Sequence, residues 1–149
     1  ATHYRAPLVP EYARTYLEVL QPPPYSQADI LTIAKGQVAW EQYYSQQAER
    51  YLFCDTGLLA LKVWSVFKYG DCDPWILAQM HQQSYDLFLL SGIDVPWEYD
   101  PLRESKHERE KLYKIFKSEL ETLNCNTIEL KGNVKARLST AISAINSSL

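Results

Sequence analysis

Short apolar runs alternate along this chain with longer stretches in which hydrophobic residues recur at every third or fourth position. "APLVP" opens the series as a brief extended run held by Pro7 and Pro10, and helical spacing begins at about Tyr12. After the Pro-rich "QPPPYSQADI", Ser26 and Asp29 stand three apart, the spacing of a capping box. Ile30, Ile33, Ala34 and Val38 then keep one helical face to about Glu49. "RYLFCD" reads as a buried strand. It feeds, through Thr56 and Gly57, a helix over "TGLLALKVWSVFKYG". "DPWILAQMHQQSY" predicts a helix opened by Asp73, with Pro74 at its first position. "DLFLL" is short and continuously apolar, as a buried parallel strand is. "ESKHEREKLYKIFKSELETL" sets Leu112, Ile115, Phe116, Leu120 and Leu123 on one helical face. "NTIEL" follows as a last strand, and "NVKARLSTAISAI" as a final helix capped by Asn133.

Four strands alternating with helices predict a three-layer α/β domain with a mainly parallel sheet, a single domain over residues 1–149. That length, with 46% hydrophobic residues, suffices for one core. A formal charge of -3 provides no basic field for a polyanion, so nucleic acid is not the expected partner. No run of about 18 apolar residues is present, and the N-terminus lacks a basic-then-apolar leader pattern. The expectation is a soluble, cytoplasmic protein acting on a small molecule, with no membrane partner and with homo-oligomer formation left open. Cys54, Cys72 and Cys125 are odd in number and far apart, with no CxxC pair. They read as free, mostly buried thiols.

In open α/β sheets ligands gather at the carboxyl ends of strands, and Asp55 sits at such an end. Two readings of it compete. Asp is a preferred helix N-cap, so Asp55 can cap the helix that follows. An acid after an apolar strand can instead hold the magnesium of a nucleotide or its water. Glu11 and Arg14 lie at the end of the first strand, three apart on a starting helix. As a plain local ion pair they are worth about 0.2–0.5 kcal/mol. "VPWEYDPLRE" clusters Trp97, Glu98, Asp100, Arg103 and Glu104, and basic residues continue through Lys106, His107, Arg109 and Lys111. This run is either a solvated helix face or a lid that brings guanidinium forks onto phosphate oxygens. Trp97 and Tyr99 either flank a ring or pack in the core.

Taken in order and at these separations, "PEYAR", "FCDTG", "DLFLL", "PWEYDPLRE" and "GNVKARLSTAI" resemble the P-loop kinase domain of the ribosylnicotinamide kinase (NadR-like) family over nearly the whole chain. The resemblance implies a nucleotide-kinase-like P-loop NTPase fold using ATP and Mg2+. It makes Asp55 the Walker B-like acid that holds the metal together with upstream residues. Glu11 then receives or orients the acceptor hydroxyl, and Arg14, Arg103 and Arg109 stabilise phosphate charge. Trp97, Tyr99 and Asp100 stand on the substrate side. The implied activity is phosphorylation of a small nucleoside-like acceptor, nicotinamide riboside first, in NAD metabolism. A nucleotide-sensing module without turnover, or an ATPase with water as acceptor, are the alternatives.

Two departures shape the expectation. None of the five glycines is followed by Lys, so the phosphate-binding G-x-x-x-x-G-K-[ST] loop is absent. The family's first strand, phosphate loop and most of its first helix would precede "ATHYRAP". That strand would lie between the one ending at Asp55 and "DLFLL". Without it, inner backbone groups would go unpaired at roughly 1–3 kcal/mol each, and the working protein is therefore expected to carry an N-terminal segment outside these residues. The second departure is Pro10, which stands where the family tends to place a base-stacking aromatic before the matching Glu.

Overall fold

The computed structural model describes residues 1–20, 25–96 and 108–148. They form two compact units, Ala1–Gln83 and Ser84–Leu149. The first contains a 3-10 turn (Thr2–Tyr4), β1 (Leu8–Val9), α1 (Tyr12–Leu20), α2 (Gln27–Ser45), β2 (Phe53–Cys54), α3 (Leu58–Tyr69) and α4 (Pro74–Gln82). The second contains β3 (Phe88–Ser91), α5 (Arg109–Thr122), β4 (Thr127–Leu130) and α6 (Val134–Ser148). Among the elements of the described residues, the opening 3-10 turn has no counterpart in the sequence pattern.

In the first unit β1 and β2 pair in parallel, Leu8 with Phe53 and Val9 with Cys54. Their connection runs through α1 and α2, the crossover that parallel strands require. Val9, Ile30, Ile33, Ala34, Leu58 and Ile76 are fully buried, so the apolar face of α2 meets β1, α3 and α4 in one core. Local signals set the helix starts. The Ser26 N–H donates to Asp29 Oδ2 at 2.6 Å, closing the expected capping box of α2. The Trp75 N–H donates to Asp73 Oδ1 at 2.8 Å, and Pro74 occupies the first turn of α4, where its missing N–H costs nothing. α3 ends on Gly70, whose φ of 87° is the left-handed conformation that glycine adopts most readily. Tyr25 is fixed to α3 by the Trp64 Nε1–H on its hydroxyl at 2.9 Å and by the Tyr69 hydroxyl on its carbonyl at 2.9 Å.

In the second unit β3 and β4 pair in parallel from Phe88 with Thr127 to Ser91 with Leu130, and α6 packs on β4. Among its described residues, Leu120 and Ile145 are the buried hydrophobic ones. Asn133 caps α6 as expected, its Oδ1 accepting the Ala136 N–H at 3.0 Å. Beyond the strands a polar clasp holds the two carboxyl ends together. The Gly92 N–H donates to the Leu130 carbonyl at 2.8 Å, and Arg137 donates to the carbonyls of Gly132 at 2.8 Å and Gly92 at 3.1 Å. Arg137 also pairs with the Asp94 carboxylate, which accepts the Gly132 N–H as well. A Cβ at Gly92 would stand 2.9 Å from the Leu130 oxygen, so the clasp requires glycine there.

The three cysteines are free, as expected, but each is half-buried instead of buried, because the two-residue β2 and the ends of the helices leave their edges open to solvent. Among the described residues, no helix is long and apolar enough to cross a membrane.

The clasp makes a prediction about acid. The hydrogen bond from the Gly132 backbone, with the nearby Arg137 and Lys131 charges contributing less, holds the Asp94 carboxyl below its ordinary value of 3.8. A carboxyl lowered on folding contributes stability above its unfolded pKa and loses it as pH falls through the folded value. Asp94→Asn should therefore destabilise the protein at pH 6, and its difference from the wild type should shrink as pH falls below 3.8, read from urea midpoints. A difference that stays constant down to pH 2.5, or grows, would contradict the clasp.

Candidate functional site

The chain leaves β1 and β2 at the same edge. Val9 and Cys54 are partners in the ladder, and the next residue, Asp55, donates its N–H to the Val9 carbonyl at 2.8 Å. Pro10 and Glu11 follow β1 at that edge, and Asp55, Thr56 and Gly57 follow β2. Parallel pairing in register thus brings Glu11, Arg14 and Asp55 to one end of the first unit.

Asp55 does not cap α3. The chain turns through Thr56, whose φ is 69°, and Gly57 is the N-cap, with no side-chain cap hydrogen bond. The capping reading of Asp55 is overturned because the left-handed turn at Thr56 sets two residues, Thr56 and Gly57, between the acid and the helix, and Gly57 takes the N-cap position. The Asp55 side chain is exposed, and among the described residues none takes up its carboxylate. Glu11 and Arg14 do form the local pair, Arg14 Nε lying 3.8 Å from Glu11 Oε2 with both side chains partly exposed. At that distance and exposure the pair is weak.

Behind this edge lies a polar network that the sequence reading did not single out. The Tyr12 N–H, the first of α1, donates to Gln37 Oε1 at 3.0 Å. Gln37 Nε2 donates to Glu41 Oε1 at 3.3 Å, and Gln83 Nε2 to Glu41 Oε2 at 2.9 Å. Gln37 and Glu41 are both buried. Burial, with the Glu41 carboxylate contributing less, pushes the Cys54 thiol up to about 12, so this thiol is held neutral beneath the edge. A signal was available: Gln37 and Glu41 continue the spacing of Ile30, Ile33, Ala34 and Val38, two polar residues on an apolar stripe.

Arg109 opens α5 in the second unit, and its Nη1–H donates to the Val95 carbonyl at 2.7 Å. Trp97, Tyr99, Asp100 and Arg103 lie outside the described residues. Among the described residues no three His, Cys, Asp or Glu side chains cluster as a metal cage. Mg2+ is commonly held by one or two carboxylates together with water and substrate phosphates, and an exposed carboxylate at a strand end, free of any capping duty, fits that mode.

Residues 1–137 match the family model described as an AAA domain. The chain belongs to this family. Among solved structures, this AAA domain is similar to a crystal structure of NadR protein in complex with NR. The identity is 20% and the TM-score 0.73, over 96% of this chain and 44% of that one. A second, of NadR protein in complex with NAD and AMP-PNP, gives 18% identity and a TM-score of 0.71 over 97% of this chain and 42% of that one. The AAA domain thus spans less than half the length of the NadR chains it matches. No curated protein matches it. The fold is that of a P-loop NTPase, α/β with parallel strands, as the sequence motifs implied.

Two aspartates that stand just before helices should separate in a stability measurement. Asp73→Ala removes a cap from α4 and should cost about 0.5–2 kcal/mol. Asp55→Ala removes none and should stay within about 0.5 kcal/mol of the wild type. Urea denaturation of both variants checks this, and an equal loss for the two would restore a capping role to Asp55.

Proposed function

We propose that the protein containing this domain is a small-molecule kinase that transfers a phosphoryl group from ATP, with Mg2+, to a nucleoside-like acceptor, with nicotinamide riboside the leading candidate. The observation that carries the reading is the shared edge of β1 and β2, where Glu11, Arg14 and an uncommitted Asp55 carboxylate collect at strand carboxyl ends. The P-loop fold and the ligands of the two similar structures, NR in one and NAD with AMP-PNP in the other, support it.

In this reading the acceptor hydroxyl oxygen forms a bond to the γ-phosphorus, the bond to the β-phosphate oxygen breaks, and ADP leaves. Glu11 orients the hydroxyl and takes its proton. Arg14 turns from its weak pair with Glu11 to phosphate oxygens, where a planar guanidinium is the better match. Asp55 holds Mg2+ or its bound water. When bound, the ion neutralises phosphate charge. The family resemblance assigns phosphate roles to Arg103 and Arg109 as well, and acceptor roles to Trp97, Tyr99 and Asp100. Phosphoryl transfer asks mostly for positioning and charge neutralisation, and these residue types provide both.

The test is a transfer assay on the full-length gene product with Mg-ATP and nicotinamide riboside. Asp55→Asn keeps the size of the side chain and removes its charge, and it should lower kcat/KM at least about tenfold, or 1.4 kcal/mol of transition-state stabilisation, without changing the urea midpoint. Near-normal turnover in Asp55→Asn would contradict the assignment of Asp55. ATP hydrolysis at the same rate with and without acceptor would favour an ATPase.

A further inference from the structure

The first turn of α1 sits in a seat built by α2. Gly36 faces the Tyr12 ring so closely that a Cβ there would collide with it, and Trp40, one turn on, meets the same ring edge to face at 4.8 Å. Between them Gln37, 1% exposed, accepts the Tyr12 N–H at 3.0 Å. The first N–H groups of a helix have no acceptor within the helix, so Gln37 acts as a cap delivered from a neighbouring element. The glutamine amide is itself held: its Nε2–H reaches Glu41, whose other oxygen accepts from Gln83 at the end of α4.

Stability alone does not call for this arrangement. A buried amide and a buried carboxylate cost free energy unless every bond is made, and an apolar pair of the same size would pack on this stripe without that requirement. What the network does is fix one point of backbone. That point, Tyr12, follows Glu11 directly and precedes Arg14 by two residues, and the Arg14 N–H closes the turn on the Glu11 carbonyl at 3.2 Å. With the turn held from α2, Glu11 and Arg14 stay at the edge where Asp55 leaves β2.

We propose that Gln37, backed by Glu41 and admitted by Gly36, is a positioning residue that sets the acceptor affinity of this site by fixing the first turn of α1. The inference rests on the kinase reading above. It assigns the acceptor side to the first turn of α1; Arg14 on that turn meets the phosphoryl group only as it transfers, so ground-state ATP binding stays independent of Gln37.

The experiment uses the full-length gene product and two readouts, the KM values for nicotinamide riboside and ATP, and the hydrogen-exchange rate of the Tyr12 amide. Gln37→Met keeps the volume and removes the acceptor. It should raise the nicotinamide riboside KM about tenfold or more, leave the ATP KM within twofold, and speed Tyr12 exchange at least tenfold. Exchanging the two groups, Gln37→Glu with Glu41→Gln, reverses one hydrogen bond but keeps an acceptor for the Tyr12 N–H, and should restore both readouts. Gly36→Ala, which displaces the ring and leaves the hydrogen-bonding groups intact, is an independent perturbation and should also raise the acceptor KM selectively. An active wild type whose variants keep the acceptor KM, or whose two KM values rise together, overturns this inference alone. A wild type that transfers nothing to nicotinamide riboside overturns the kinase reading and this inference with it.

Discussion

The Val9 carbonyl accepts the Asp55 N–H at 2.8 Å, and this bond carries the parallel ladder one residue past the end of β2. It holds the start of one turn against the end of the neighbouring strand. Because parallel strands run in the same direction, the turns after β1 and β2 emerge together, and Asp55, distant in sequence, arrives at the same edge as Glu11 and Arg14. A slip of one residue would turn Val9 away from the core, where it is fully buried, and would move Asp55 out of line with Glu11. The burial of Val9 and the placement of the acids are therefore set by the same pairing.

The packing behind the edge determines how firmly it is held. α2 offers an apolar stripe to the core and ends that stripe with Gln37 and Glu41, so the helix that supplies burial also supplies a fixed polar contact to α1. Buried polar groups of this kind are costly when any partner is lost, which makes the turn at Tyr12 rigid where a surface helix start would fray. The second unit holds its own strand ends with a polar contact that is more exposed. There Asp94 and Arg137 bind the loops after β3 and β4 to each other, and Gly92 lets the backbones approach.

Among the described residues, the four strands and six helices were legible in the sequence, because local signals mark them: Ser26 with Asp29, Asp73 with Pro74, Asn133, and the short apolar runs. The capping box and the Asp73 cap depend on residues three apart or fewer, which sequence spacing shows directly. The role of Asp55 was not legible in the same way. Whether it caps α3 depends on the φ angle of Thr56, and a β-branched residue in the left-handed region is not the default for any spacing rule. The Tyr12, Gln37, Glu41 and Gln83 network spans more than seventy residues of sequence, so only the fold brings it together, although two polar residues on the stripe of α2 hinted that something polar must face them.

If acceptor chemistry belongs to the shared edge of β1 and β2, the amides of the two turns that leave it must respond to the acceptor, and amide chemical-shift mapping reads that response. On adding nicotinamide riboside to the isotope-labelled, full-length gene product with Mg-ADP present, the largest shifts should fall on Glu11 through Arg14 and on Asp55 through Gly57, the two turns that leave this edge. Shifts confined to other elements, with both turns unmoved at saturating ligand, would contradict the account.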